Sequence, residues 1–100
     1  MPTVAEIKTK LIPIFDAYGV QSATLFGSIA KGTATERSDL DLLVDSGLKG
    51  LRFVGLMEAV QNAVLLPVNL LDVSHIEKGS RIDREIRETG ILIYERQDHH

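Results

Sequence analysis

The chain has 100 residues, of which 44% are hydrophobic, and this length and composition are typical of one small globular domain. Its 11 basic and 14 acidic residues give a net charge of −3, which argues against direct nucleic-acid binding, since such domains are usually basic. The absence of cysteine excludes disulfides and thiolate metal sites. No apolar run approaches the ~18 residues of a membrane span, and residues 1–10 lack the hydrophobic stretch of a signal peptide. We therefore expect a cytoplasmic protein that does not associate with membranes.

The first part of the chain predicts a helix followed by a strand. Residues 3–18 begin with a capping box and carry apolar side chains at helical spacing. Pro13 lies inside this pattern, where we expect it to kink or divide the helix. Gly19 is placed to end the helix, and residues 20–26 predict the first strand.

The remainder alternates strands and helices. Strands are predicted at 40–44, 67–73 and 91–94, and helices at 51–65 and 76–89. The apolar residues expected to share the inner face of these two helices are Phe53, Met57, Val60 and Val64 in the first and Ile82 and Ile86 in the second. The pattern predicts a single α/β (α+β) domain over residues 1–97, with a small mixed sheet packed with helices. We assign no function to the tail 98–100, which is consistent with a cloning remnant.

Two features in the first half of the chain indicate a chemical site. Gly27 and Ser28 follow a predicted strand and can open a short helix, whose free backbone N–H groups suit a phosphate. Asp39 and Asp41 are two residues apart on the next strand, so their side chains project from the same face. Neighbouring carboxylates repel each other unless a cation lies between them, and Mg²⁺ prefers such oxygen ligands. The combination predicts metal-dependent phosphoryl or nucleotidyl transfer.

These residues also carry a family resemblance. The segments Gly27-Ser28-Ile29-Ala30-Lys31-Gly32 and Ser38-Asp39-Leu40-Asp41-Leu42 resemble the signature of the minimal nucleotidyltransferases, within the polymerase-β-like superfamily. The resemblance extends loosely over nearly the whole chain and implies the polymerase-β-like nucleotidyltransferase fold. It further implies that Gly27 and Ser28 hold the triphosphate of ATP, and that Asp39 and Asp41 hold Mg²⁺ or Mn²⁺.

The chain departs from this family pattern at one position. The resemblance implies a third carboxylate on a later strand, where it activates the acceptor hydroxyl, and the residue in register here is Asn69. A neutral amide cannot act as a carboxylate base and is a weaker metal ligand. Asp72 is the alternative, but its odd spacing from Asn69 points it to the opposite face of a regular strand. Catalysis that depends on positioning and metal electrostatics can persist without a base.

Several other residues have structural explanations. Gly27 to Gly32 resembles a P-loop, but the Lys-Ser/Thr pair required after the second glycine is missing. We interpret Lys31 and Arg37 as surface cations and His75 as a loop residue. Ser38 is expected to orient the aspartate strand. The expected salt bridges within the last helix are Arg81–Glu85, Asp83–Arg87 and Arg84–Glu88, all at i,i+4 spacing.

The resemblance implies a function. Such chains resemble the antitoxin half of two-gene modules, in which the transferase adenylylates a HEPN-domain toxin, so the expected partners are ATP and a HEPN protein in a homo- or hetero-oligomer. A second hypothesis, supported by Asn69, is a catalytically weak module that neutralises a HEPN partner by binding. A third is a nucleotide-sensing or RNA-associated regulatory domain.

Overall fold

The computed structural model describes residues 2–97, so the predicted tail 98–100 lies outside the described residues. These residues form helices and one four-stranded mixed sheet, which confirms the predicted fold class. The helices are α1 (Val4–Ala17), α2 (Gly27–Lys31), α3 (Leu51–Ala63) and α4 (Arg81–Thr89), and the strands are β1 (Ser22–Phe26), β2 (Leu40–Asp45), β3 (Val68–Asp72) and β4 (Ile91–Glu95). A short 3₁₀ helix, Val73–His75, follows β3.

The strands lie in the order β3-β2-β1-β4. β1 is antiparallel to both β2 and β4, whereas β2 and β3 are parallel and are connected through α3. Directly paired residues share a face of a sheet, and successive residues alternate between faces. One face therefore carries apolar side chains of the core, and the other carries Asp41 and its paired residue Asn69.

Helix α1 begins and ends as its sequence predicts. The Thr3 hydroxyl accepts a hydrogen bond from the Glu6 backbone N–H, at 3.1 Å, and the helix stops just before Gly19. Of the two effects expected of Pro13, a kink or a division, the division does not occur, because α1 runs unbroken through it. A proline removes one intrahelical hydrogen bond, and the packing of the buried face of α1 outweighs that loss. The buried residues of this face are Ile7, Leu11 and Phe15.

The core lies between the apolar face of the sheet and the helices α1 and α3. Its fully buried members from the sheet include Ala23, Leu25, Leu40, Leu42 and Val44. On the other side of the molecule α2 packs against α4, and both contact β1. None of the helices within residues 2–97 combines the length and apolar character that a bilayer-crossing segment requires.

Three predicted helical details are wrong. The charged helix was expected from residue 76, but α4 begins at Arg81, because the Ser80 hydroxyl caps it by accepting from the Asp83 N–H at 3.3 Å. Ile82 in this helix is 39% exposed rather than inward-facing. In α3 the core position is Leu56, while Met57 is 39% exposed, so the buried face is rotated by one residue at that turn.

Candidate functional site

The pairing of β2 with β3 brings the predicted site residues together. Asp41 and Asn69 are directly paired in the parallel register, and Asp39 immediately precedes β2. The Asn69 side-chain Nδ2 donates to Asp39 Oδ2 at 3.2 Å and to Asp41 Oδ1 at 3.0 Å. The two aspartates therefore converge on one amide, as expected for residues two apart on one strand face.

Gly27 lies against this carboxylate pair. It follows Phe26, which is paired with Asp41 across β1 and β2, and it is buried. Its φ of +77° is in the left-handed region, which side chains rarely adopt. A Cβ at this position would overlap the carboxylate of Asp41. Glycine is therefore required both for the turn and for the close approach of backbone to carboxylate.

The segment after Gly27 forms a short helix whose N-terminus has no side-chain cap. Ser28 is half-buried in its first turn, and its carbonyl accepts from the Thr33 N–H at 3.0 Å, which closes the helix behind it. The Ser38 hydroxyl accepts from the Thr35 N–H at 2.8 Å and so shapes the loop that enters β2. That Ser38 caps or orients the aspartate strand stays a prediction.

The charge of the carboxylate pair is not balanced by a neighbouring cation. Within residues 2–97 neither Asp39 nor Asp41 forms an ion pair with Lys or Arg. The same part of the chain contains no cluster of three or more His, Cys, Asp or Glu side chains suited to a metal, so the third polar group here is the Asn69 amide. Two neighbouring carboxylates match the oxygen ligands that Mg²⁺ prefers.

Asp72 does not replace the missing carboxylate. It is three residues beyond Asn69, lies on the opposite face of β3 and is only 4% exposed. Its carboxylate accepts hydrogen bonds from the backbone N–H and hydroxyl groups of Ser46 and Ser74, at 2.6 to 3.0 Å. Burial alone would raise the pKa of Asp72, but these four hydrogen bonds outweigh it and lower the pKa to about 2. Asp72 is a structural anion.

His75 belongs to the same structural cluster, and it ends the 3₁₀ helix after β3 rather than lying in the predicted loop. Its Nδ1 accepts from the Asp72 backbone N–H at 3.2 Å, and its ring meets Phe53 edge-on with centroids 5.4 Å apart. His75 therefore closes the end of β3 against α3. It makes no contact with the aspartate pair.

The basic residues form different contacts from those predicted. Lys31 pairs with Glu85 at 2.7 Å and so connects α2 to α4, which takes Glu85 away from Arg81. Asp83–Arg87 forms at 3.1 Å as predicted. Within residues 2–97 the predicted bridges Arg81–Glu85 and Arg84–Glu88 do not form. Arg37 is exposed in the loop before β2.

One supporting residue was not identified from the sequence. Gln61 at the end of α3 donates from Nε2 to the Leu66 carbonyl at 2.7 Å and accepts at Oε1 from the Val68 N–H at 2.9 Å. These bonds fix the start of β3, one residue before Asn69. A glutamine in a helical pattern carries no signal of a contact with a loop five to seven residues ahead.

Comparison with known proteins places this chain in a family. The family model described as "Polymerase beta, Nucleotidyltransferase" matches residues 9–99. The chain belongs to this polymerase-β nucleotidyltransferase family. A Methanocaldococcus jannaschii protein named "Putative protein adenylyltransferase" is 34% identical over 101 residues, which cover 93% of this chain and 100% of that protein. A second protein of that name and organism is 48% identical over 44 residues. These residues cover 44% of this chain and 47% of the relative, so the match spans about half of the relative's length.

Solved structures show the same fold. A chain of a toxin–antitoxin complex with AMP-PNP superposes with a TM-score of 0.75 at 22% identity, covering 90% of this chain and 74% of that one. A chain from a complex of tri-AMPylated Shewanella oneidensis HEPN toxin with MNT antitoxin gives a TM-score of 0.70 at 17% identity, covering 94% and 74%. At these identities the likeness establishes the fold.

Proposed function

We propose that the protein is a metal-dependent adenylyltransferase that moves AMP from ATP to a protein acceptor, and that the acceptor is a HEPN-domain partner which it restrains as an antitoxin. The observation that carries the proposal is the convergence of Asp39 and Asp41 beside the Gly27 turn, where neither forms an ion pair with a Lys or Arg of residues 2–97. The family and the relatives named as adenylyltransferases support the class of reaction. The HEPN–MNT complex of similar fold supports the class of partner.

Each residue has a role in this proposal. Asp39 and Asp41 hold Mg²⁺ or Mn²⁺ through their carboxylate oxygens. The bound metal supplies Lewis-acid stabilisation of the charge on the phosphate oxygens. The backbone N–H groups at Gly27 and Ser28, with the Ser28 hydroxyl, bind the triphosphate, because no side chain caps that helix start.

The acceptor hydroxyl attacks the α-phosphorus of ATP, forming the new P–O bond as the bond to pyrophosphate breaks. Among residues 2–97, the two proposed metal ligands are joined by the Asn69 amide, which cannot act as a carboxylate base. In this proposal the chain contributes positioning and electrostatics, which dominate phosphoryl-transfer catalysis. The proton of the acceptor leaves to solvent or to the partner.

Asn69 also favours a second candidate function. An amide in the third-carboxylate position is expected in a protein that has lost catalysis and retains binding. In that alternative the chain neutralises its HEPN partner by complex formation alone. The two functions differ in whether ATP is consumed.

The test is a labelling reaction that contains this protein, a HEPN-domain protein encoded beside it, Mg²⁺ and α-labelled ATP. We expect label on the partner with the wild type, and a loss of at least about 100-fold with Asp39→Ala/Asp41→Ala, because removing the ligands removes the metal. Asp45→Ala is the matched control, since Asp45 lies on the same face of β2, about 13 Å further along the strand.

Retained labelling with Asp45→Ala and loss with the double variant would establish the transferase. A stable complex with no label on the partner would contradict the transferase and establish the binding alternative. Labelling that persists in the double variant would place the chemistry outside this site.

A further inference from the structure

The Asn69 amide uses both of its N–H donors on the two aspartates. Nδ2 lies 3.2 Å from Asp39 Oδ2 and 3.0 Å from Asp41 Oδ1. A carboxylate can only accept hydrogen bonds, so the NH₂ group, and not the carbonyl oxygen, must face the pair. One oxygen of each aspartate remains outside these bonds.

We propose that Asn69 is a two-state positioning residue: its NH₂ group holds the carboxylates together without metal, and its carbonyl oxygen becomes a metal ligand when a divalent cation binds. The inference rests on the proposed function, because it takes Asp39 and Asp41 as the metal ligands. It assigns Asn69 a role in metal binding and in the stability of the metal-free protein, at the position where the family pattern has a carboxylate base.

The physical argument concerns the metal-free state first. Two carboxylates on one strand face repel each other, and no Lys or Arg of the described residues pairs with them. Two N–H groups from one amide reduce that repulsion and hold both side chains close to each other. A carboxylate at position 69 would instead add a third negative charge to the cluster.

Metal binding reverses which end of the Asn69 amide is favoured beside the aspartates. With a cation between the aspartates, an NH₂ group that points toward it is repelled, whereas an amide carbonyl oxygen is a ligand that hard divalent cations accept. The terminal torsion of Asn is broad and roughly two-fold, so exchanging nitrogen for oxygen needs a rotation with little intrinsic cost. The exchange converts two hydrogen bonds into one metal ligand.

The backbone of Asn69 is fixed while the amide turns. Asn69 is paired with Asp41 in the parallel register, and Gln61 anchors the preceding residue through the Val68 N–H at 2.9 Å. The side chain itself is exposed, so packing in the core does not oppose its rotation.

Two substitutions at position 69 distinguish the role of Asn69 without metal from its role as a metal ligand. Asn69→Ala removes both the donors and the ligand, so we expect the metal-free melting temperature to fall by about 4 °C and Mn²⁺ affinity to weaken by about tenfold. Asn69→Asp also removes the donors and adds a charge, so its metal-free melting temperature falls at least as far. Its Mn²⁺ affinity, however, rises by about tenfold, because a carboxylate is the stronger ligand.

The experiment measures melting temperature without metal and Mn²⁺ binding by the loss of the free-ion electron paramagnetic resonance signal. Asn62→Ala and Asn62→Asp are matched controls, because Asn62 is exposed on α3. Opposite changes in affinity with parallel losses in melting temperature, at position 69 only, support the proposal. It is overturned if Asn69→Ala matches the wild type in either measurement, or if Asn69→Asp fails to tighten Mn²⁺ binding.

Asp39→Ala/Asp41→Ala distinguishes failure of this inference from failure of the proposed function. Mn²⁺ binding that depends on the aspartates but not on position 69 overturns the role of Asn69 alone. Mn²⁺ binding that survives the double substitution overturns the metal site and the inference together.

Discussion

Gly27 is the residue at which the backbone comes closest to the carboxylate pair. Its φ of +77° and the overlap that a Cβ would have with Asp41 are two separate constraints. Gly32 satisfies only the first, since its φ is +76° and a Cβ there would have no neighbour within 4 Å. Substitutions at the two glycines therefore distinguish the effect of backbone strain from the effect of displacing Asp41.

We expect Gly27→Ala and Gly32→Ala to lose similar backbone stability, about 1 kcal/mol each, since both force a side chain into the left-handed region. Only Gly27→Ala displaces the Asp41 carboxylate, and we expect AMP transfer to fall by about 100-fold, because small misplacements of reacting groups are costly. Urea unfolding and rates of partner labelling measure the two effects. Equal labelling by both variants would show that the close approach to Asp41 does not matter for transfer.

The individual site residues could be predicted to different extents. Asp39 and Asp41 share a face because strand side chains alternate, and the same alternation excludes Asp72. The hydrogen bonds from Asn69 to both aspartates could not be derived, since they depend on the exact register of two parallel strands distant in sequence. The buried hydrogen bonds to the Asp72 carboxylate were not predicted either, because Ser46 is 26 residues away in the sequence.

Asp72 joins several elements at the end of β3 opposite to the aspartate site. Its carboxylate binds the residue after β2 and the 3₁₀ helix, while its backbone N–H donates to His75, which packs on α3. Because these hydrogen bonds lower its pKa from 3.8 to about 2, ionised Asp72 stabilises the folded state by about 2 kcal/mol. This contribution is complete above pH 4 and is lost as the pH falls toward 2.

We therefore expect Asp72→Asn to reduce the free energy of unfolding by about 2 kcal/mol at pH 6. The difference from the wild type should shrink as the pH falls from about 4 to 2, because the wild-type carboxyl becomes protonated and loses its acceptor advantage. Urea unfolding at pH 6 and pH 2 measures this change, with Asp45→Asn as the control. A difference that stays constant with pH would contradict the role of an ionised Asp72.

At the scale of elements, the apolar pattern predicted each long helix and each strand of the sheet but misplaced some boundaries and faces. The predicted helix extends back to Ile76, yet Ser80 caps α4 and delays its start. Met57 fits the helical stripe of α3 as well as Leu56 does, and only the direction of packing against the sheet selects Leu56. Glu85 pairs with Lys31 across two helices, a contact that i,i+4 spacing cannot reveal.

For the molecule as a whole, the fold leaves the proposed site accessible. Asp39 and Asn69 are exposed on the face of the sheet away from the main core, and Asp41 is half-buried between them and Gly27. Such a site suits an acceptor presented by another protein. This openness agrees with the proposal that a HEPN-domain partner supplies the acceptor hydroxyl.

The most direct test of the account follows two differently labelled phosphates. This protein, its HEPN-domain partner and Mg²⁺ are incubated in parallel with ATP labelled at the α- or the γ-phosphate, and label on the partner is measured. We predict label from the α-phosphate alone, because adenylyl transfer retains the α-phosphate and releases the other two as pyrophosphate. Transfer of the γ-label, or of neither label, would contradict the account.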